Sequence, residues 1–259
     1  MEVLPLRAFA DNYIWALREN GCVAVVDPGE AGPVLRHLES SGDKLAAILL
    51  THHHDDHVGG TAELLGHTAV PVYGPDREEI PFLTHPLHDG EQVELAWMEG
   101  DFQVMQLPGH TFGHLAYYRP GMVFCGDVLF NLGCGRIFES TMDAMWLSLQ
   151  ALAALPADTR VYCAHEYTYL NLPFALAVEP GNPALQARAA QLRPMIAAGQ
   201  ATVPTTLAAE LATNPFLRCH EPEVIASASR HAGHALQQPD QVFAALREWR
   251  NTFKPLAEQ

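Results

Sequence analysis

The apolar run Leu45-Ala46-Ala47-Ile48-Leu49-Leu50 passes without a break into Thr51-His52-His53-His54-Asp55-Asp56-His57 and then Val58-Gly59-Gly60. A strand-like stretch of this kind is buried, so the polar heptad behind it stands at a strand end, at the margin of a core. Four imidazoles and two carboxylates in that heptad are the donors of a borderline cation such as zinc or non-haem iron, and two ligand pairs so close together can serve two ions at once. A solvated, low-complexity His-rich tract fits poorly, because the cluster is internal, is interrupted by acids and follows the apolar run.

Further ligand-capable residues repeat the placement. His110 lies in Leu107-Pro108-Gly109-His110-Thr111-Phe112-Gly113-His114 after the run Phe102–Gln106, and Asp127 lies in Phe124-Cys125-Gly126-Asp127-Val128-Leu129-Phe130 after Met122–Cys125. His165 lies in Val161-Tyr162-Cys163-Ala164-His165-Glu166-Tyr167 after Arg160–Cys163. A single histidine beside a strand is ordinarily a packed, hydrogen-bonded one. Three ligand-capable residues in equivalent places beside the central cluster form a pattern, since functional groups of α/β sheets converge in the loops beyond strand ends.

Short β-rich runs punctuated by Gly and Pro read as strands at Asn12–Arg18, Cys22–Val26, Leu45–Leu50, Val70–Tyr73, Gln92–Leu95, Phe102–Leu107, Leu115–Tyr118, Met122–Cys125 and Arg160–Cys163. Helical stretches interrupt them at Gly32–Ser41, Thr61–Leu65 and Thr141–Leu155, the last with Thr141 as cap and Asp143 in its first turn. This alternation predicts an α/β layered domain over residues 1–165. From residue 166 to 259 the apolar spacing turns to three and four, over Tyr169–Val178, Ala184–Ala198, Thr206–Thr213, Pro222–Ala232 and Asp240–Phe253, which predicts a small all-α domain.

With 259 residues, 48% of them hydrophobic and 17% charged, the chain can bury a large core. Its net charge of −15 repels phosphate backbones and argues against a nucleic-acid substrate. The stretch Met145 to Leu155 is too short to span a bilayer, and Met1-Glu2-Val3-Leu4-Pro5-Leu6-Arg7 lacks the character of a signal peptide, so no membrane partner is expected. Cys22, Cys125, Cys134, Cys163 and Cys219 form no C-x-x-C pair and are odd in number, which predicts reduced thiols and a cytoplasmic location.

The patterns T-H-x-H-x-D-H, G-H-T-x-G-H, G-D-x-L-F and H-E-Y-T resemble the metallo-β-lactamase superfamily and, within it, the hydroxyacylglutathione hydrolases, or glyoxalase II. The resemblance extends over nearly the whole chain, through Gly133-Cys134-Gly135-Arg136, Asn214-Pro215-Phe216-Leu217-Arg218 and the terminal Arg247-Glu248-Trp249-Arg250-Asn251-Thr252-Phe253-Lys254. It implies a four-layer αββα sandwich with a binuclear centre at one edge of the sheets, a catalytic domain over 1–165 and a helical substrate-binding domain over 166–259. It assigns His52, His54 and His110 to one ion, Asp56, His57 and His165 to a second, and Asp127 to both. Zinc is the first expectation for the two divalent ions, with iron and manganese accepted by the same donors. His53 and His114 are left as structural or orienting groups.

The same resemblance implies thioester hydrolysis of S-(2-hydroxyacyl)glutathione, S-D-lactoylglutathione giving glutathione and D-lactate, the second step of methylglyoxal detoxification. The nucleophile would be a hydroxide bridging two metal ions roughly 3.5–4 Å apart, with Asp127 and Asp56 as the catalytic carboxylates. Arg136, Tyr167, Arg247 and Arg250 are the substrate-binding candidates, since arginine forks suit the carboxylates of glutathione. Without the resemblance, Arg247 and Arg250 read as a solvated helix face. Some members carry tyrosine where this chain has Phe138, so no hydrogen bond to substrate is expected from that side chain. The rival within the superfamily is a mononuclear-iron persulfide dioxygenase, which would not need a full second ligand set. A non-catalytic metal-binding scaffold is the distant alternative. The expected form is a monomer.

Overall fold

The computed structural model describes residues 1–254. The segment 255–259, which the reading of 166–259 as one domain includes, lies outside the described residues. Six strands, β1 (Glu2–Ala8), β2 (Asn12–Glu19), β3 (Cys22–Val26), β4 (Lys44–Leu49), β5 (Val72–Pro75) and β6 (His85–Leu87), form one sheet in sequential order. The first three run antiparallel, and β3 to β6 are parallel. A second sheet gathers β7 (Gln92–Val93), β8 (Phe102–Gln106), β9 (Leu115–Arg119) and β10 (Met122–Gly126). Beyond the hairpin β11 (Leu129–Phe130) and β12 (Gly133–Cys134), it adds β13 (Arg160–Cys163) and β14 (Thr205–Thr206), in the order β14-β13-β10-β9-β8-β7.

Alternation along the strands explains the layering. Side chains on a strand point to opposite faces in turn. In β2, Tyr13, Trp15 and Leu17 join the core shared with Phe102, Val104, Tyr117 and Phe124 of the second sheet, whereas Ile14 and Ala16 join a separate core. That outer core is closed by Ala31 and Val34 of α1 (Ala31–Ser41) and by Leu64 of a later helix. Between them in sequence, α2 (Asp55–Val58) is a single turn that carries two of the cluster's acids, and Leu64 belongs to α3 (Thr61–His67). On the second sheet, α4 (Met142–Ala153) buries Met145, Leu149 and Leu152, and the Thr141 hydroxyl caps it by accepting from Ala144 N. The result is the four-layer αββα sandwich.

The rest is helical: α5 (Thr168–Val178), α6 (Pro183–Ala197), α7 (Leu207–Thr213), a 3-10 turn at Pro215–Leu217, α8 (Pro222–Ala232) and α9 (Pro239–Thr252). Among the described residues after Cys163, the strand structure is the two-residue β14, which the helical periodicity gave no sign of. Leu172, Ala175, Leu185, Ala189 and Leu192 make a small core of their own around Leu132. A buried ion pair, Arg188 to Glu210 at 2.5 Å, ties this region to the sandwich, because Arg188 also donates to Asn131 Oδ1 at 2.8 Å and Glu210 accepts from Leu132 N at 2.9 Å.

Several strands start or stop a few residues from where the pattern put them. The run Gln92–Leu95 pairs only over Gln92–Val93, and Val70–Tyr73 is shifted to Val72–Pro75. The strand Glu2–Ala8 carries Pro5, which interrupts the strand pattern in its sequence. It is the edge strand of its sheet, where a missing N–H is tolerated.

Candidate active site

Each predicted ligand stands at or just beyond the end of a strand. His52 and His54 follow β4, Asp56 and His57 ride on α2, and His110, Asp127 and His165 follow β8, β10 and β13. The two sheets meet at this edge: Tyr13 N donates to Ala164 O at 2.7 Å and Glu166 N to Asp11 O at 2.8 Å, with an isolated bridge between Asn12 and His165. That contact delivers His165, from the far sheet, beside the cluster of the near one.

The seven side chains fall into two groups joined by one carboxylate. His54 Nδ1 lies 3.1 Å from His52 Nε2 and 3.0 Å from His110 Nε2. Nitrogens arranged tetrahedrally about 2.0 Å from a cation stand about 3.3 Å apart, close to this spacing. Asp56 Oδ2 lies 3.6 Å from His57 Nε2 and 3.4 Å from His165 Nε2. Asp127 faces both: Oδ2 is 3.5 Å from His110 Nε2, while Oδ1 is 3.6 Å from His57 Nε2 and 3.4 Å from His165 Nε2. Asp127 Oδ1 and His57 Nε2 are buried without any hydrogen-bond partner. Orphaned polar atoms aimed at one another are costly unless something charged comes between them, so the donor set fits divalent cations.

The outward nitrogens are held in place. His57 Nδ1 contacts Asp27 Oδ2 at 3.0 Å, His165 Nδ1 contacts Asp11 Oδ1 at 2.8 Å, and His110 Nδ1 donates to Arg136 O at 2.7 Å. His52 Nδ1 meets Thr51 Oγ1 at 3.0 Å, and that hydroxyl donates to Asp27 Oδ2 at 2.7 Å. Asn12 Nδ2 donates to Asp56 Oδ2 at 3.0 Å. Such contacts fix the tautomer and aim the inner nitrogen. Asp11, Asn12 and Asp27 were not singled out in the sequence. Asp27 carried a signal, an acid directly after the strand Cys22–Val26, whereas Asp11 and Asn12 become relevant only through the contact between sheets.

His114 stacks on His52, with ring centroids 4.8 Å apart, and its Nε2 accepts from Asp127 N at 3.2 Å. It therefore supports Asp127 through the backbone rather than by orienting a neighbouring imidazole. His53 turns away from the centre toward Glu78. Electrostatics follow position. Burial, reinforced by His57, His114 and His110, keeps His52 well below the ordinary histidine range, so it stands neutral with a free lone pair. For His165 burial is outweighed by Asp127, Asp11 and Asp56, which push it up to about 9. Asp127 is held far below the usual carboxylate range against its burial, by His165, His57 and His110.

Beside the two groups opens a cavity of 320 Å³, lined by His110 and Asp127 at one end and by Arg136, Tyr167, Arg247 and Arg250 around the rest. The four substrate-binding candidates thus share one space with the ligand cluster. Arg247 is not on a solvated helix face: it is 3% exposed and donates to Cys134 O at 2.8 Å and Gly135 O at 3.3 Å. Arg250 donates to Asn171 Oδ1 at 3.2 Å, and burial together with Arg247 and Arg136 depresses its pKa. Both arginines keep a partnerless Nε. Tyr167 stacks on His165 at 4.5 Å and 6°, and Phe138 lies across the mouth, edge-on to His110 at 5.3 Å and 61% exposed.

Residues 9–165 match the family model described as metallo-beta-lactamase superfamily, and residues 166–253 match that of the hydroxyacylglutathione hydrolase C-terminus. The chain belongs to the hydroxyacylglutathione hydrolase family. Curated relatives named hydroxyacylglutathione hydrolase include one from Dechloromonas aromatica, 52% identical over 98% of this chain and 100% of its own length. Another, from Methylobacillus flagellatus, is 50% identical over 97% of this chain and 99% of its own. Among solved structures, the BLEG-1 B3 metallo-beta-lactamase superposes with a TM-score of 0.63 at 21% identity, covering 83% of this chain and 98% of that one, a likeness of fold. In this chain His110 and Asp127 of the cluster share one cavity with Arg247 and Arg250.

Proposed function

We infer that this protein hydrolyses S-(2-hydroxyacyl)glutathione thioesters, S-D-lactoylglutathione giving glutathione and D-lactate, as the second step of methylglyoxal detoxification. The observation that carries the reading is a cavity lined by three arginines and a tyrosine and, from the double ligand set, by His110 and Asp127. Residues 1–165 act as the catalytic unit and the helical region from 166 onward contributes to the substrate site.

His52, His54 and His110 would hold one divalent cation, Asp56, His57 and His165 a second, and Asp127 both, with zinc the first expectation. Bound there, such ions supply a lowered pKa for water and neutralise negative charge on the acyl oxygen. Arg136, Arg247 and Arg250 bind the glutathione carboxylates through charge-assisted hydrogen bonds. Burial keeps the Tyr167 phenol protonated, leaving it a donor at the cavity wall. Asp56, its side chain 42% exposed, would take the proton released as water oxygen bonds to the acyl carbon, while Asp127, held far below the usual carboxylate range, stays ionised between the two groups. The carbon–sulfur bond then breaks with its electron pair on sulfur. A thiolate leaves readily, so no strong general acid is required.

Five unpaired cysteines support a reducing compartment, which we take to be the cytoplasm. No helix among the described residues is long and apolar enough to cross a membrane. The expected form is a monomer. The full second group, Asp56, His57 and His165, favours this reading over a mononuclear-iron persulfide dioxygenase. The test is steady-state hydrolysis of S-D-lactoylglutathione with metal analysis of the same sample. Rapid thioester cleavage with close to two ions per chain is expected. Oxygen uptake on glutathione persulfide, with one iron and no thioester cleavage, overturns it.

A further inference from the structure

The loop between β5 and β6 reaches the ligand loops through the side chain of Glu78. That residue stands on a bend anchored by Ile80, which is buried in the outer core, and its own side chain is 3% exposed. Each carboxylate oxygen accepts a backbone N–H from a different segment: Oε2 from His53 N at 2.6 Å, and Oε1 from Gly113 N at 3.0 Å. Oε1 also takes the Thr111 hydroxyl, and Oε2 lies 2.9 Å from His53 Nδ1. The packing is as close as the hydrogen bonding, since a Cβ on Gly113 would come 2.5 Å from Glu78 Cγ.

The partners of Glu78 flank the first group of histidines. His53 lies between His52 and His54, and Thr111 follows His110. His54 and His110 are 56 positions apart in sequence, yet their facing nitrogens stand 3.0 Å apart. Where the two loops leave their strands, Leu115 N donates to Thr51 O at 2.8 Å, and beyond that point Glu78 bridges them. Donors on separate loops keep a fixed spacing only when something ties the loops together. The second group rests on other anchors, Asp27 for His57 and Asp11 for His165.

We propose that Glu78 is a positioning residue for the first group: it holds the loop of His52 and His54 in register with the loop of His110, so that its loss weakens one of two cations and spares the other. Its grip is on the backbone of both loops and does not depend on the state of the His53 ring. The tie between the loops is independent of the hydrolase reading, whereas the effect on a cation rests on the two-cation part of that reading.

Glu78→Gln tests this at nearly constant shape. Whichever way the new amide turns, its NH2 meets a backbone N–H that the carboxylate had accepted. In the chelated protein, hydrogen exchange at the His53 and Gly113 amides should quicken by about tenfold or more, with Leu115 N, bonded to Thr51 O, as the unmoved control. Chelator competition on the zinc-loaded variant should show one ion weakened about ten- to a hundredfold and the other within about twofold of wild type. Anomalous scattering at the zinc edge should place the loss among His52, His54 and His110. The kcat for S-D-lactoylglutathione should fall while KM, set by the arginines of the cavity, stays within about twofold. Thr111→Val removes one donor and keeps the carboxylate; it should act in the same direction to a smaller extent, and it carries the test if Glu78→Gln does not fold. Unaltered exchange at both amides in both variants overturns the tie between the loops. Faster exchange with both ions weakened alike, or with neither weakened, overturns the positioning of the first group. A wild-type protein that holds one ion counts against the two-cation reading alone, and exchange, which needs no metal, then decides the tie.

Discussion

At the scale of single residues, the two oxygens of Asp127 face different groups of histidines. Asp127→Asn keeps its size and removes the shared negative charge. Metal content and kcat are expected to fall together by about ten- to a hundredfold. A normal rate with normal metal content would remove Asp127 from its proposed role. The arginines divide by burial. Arg250 is only partly buried and lines the cavity, so Arg250→Ala should raise KM about three- to tenfold, half or so of a charge-assisted hydrogen bond, with kcat little changed. Arg247 also satisfies the carbonyls of Cys134 and Gly135. Arg247→Ala should therefore cost about 2–4 kcal/mol of stability in urea denaturation besides weakening substrate, and an unchanged midpoint would place Arg247 outside the packing of that loop.

At the scale of elements, α2 is only four residues long and owes its position to its neighbours rather than to its own helicity. Gly29 supports it: a Cβ there would come 1.9 Å from Asp56 O and 2.8 Å from the Phe9 ring. Gly29→Ala must push α2 away, and with it Asp56 and His57. The loss is expected in the second group first, seen as one ion retained tightly and one weakly, with a stability cost of about 1–3 kcal/mol. Equal weakening of both ions would show that α2 does not move independently of His52 and His54. Four of the five helices of the C-terminal region were legible because their apolar spacing runs for ten residues or more, and the seven-residue α7 because Thr206 caps a run of helix formers. Of the strands of two or three residues, β7 was read only as part of the longer run Gln92–Leu95, and β6, β11, β12 and β14 were not read, since they are too short to display alternation and pair only because the surrounding sheet is already in place.

At the scale of the molecule, the candidate site is a concentration of histidines and acids that needs cations to settle it. In the chelated protein His165 is pushed up to about 9 by Asp127, Asp11 and Asp56, against its burial, from an ordinary value near 6.5. A group raised on folding contributes stability that is complete below about 6.5 and is lost as pH rises through about 9. His57 is raised in the same direction by Asp127 and Asp27, also against burial. The Tm of the chelated protein should therefore drop between those two pH values, while the metal-loaded protein, where a cation takes the proton's place, should hold its Tm. A chelated Tm that stays level or rises across the window would contradict this charge assignment.

The sequence by itself determined which residues end up at strand ends. Period-two alternation sorts Tyr13, Trp15 and Leu17 from Ile14 and Ala16 in strictly local terms, and the residues after Leu49, Gln106, Gly126 and Cys163 leave their strands at the same side of the sheets. The convergence of His52, His54, Asp56, His57, His110, Asp127 and His165 could therefore be anticipated. Tertiary structure decided the rest, because the physical causes are contacts between distant segments. Asp11 meets His165 across 154 positions, Glu78 meets Gly113 across 35, and Arg247 reaches Cys134 across 113. Whether a charged side chain on an amphipathic helix faces water or a cavity depends on what packs against that helix, and helical spacing carries no record of that partner.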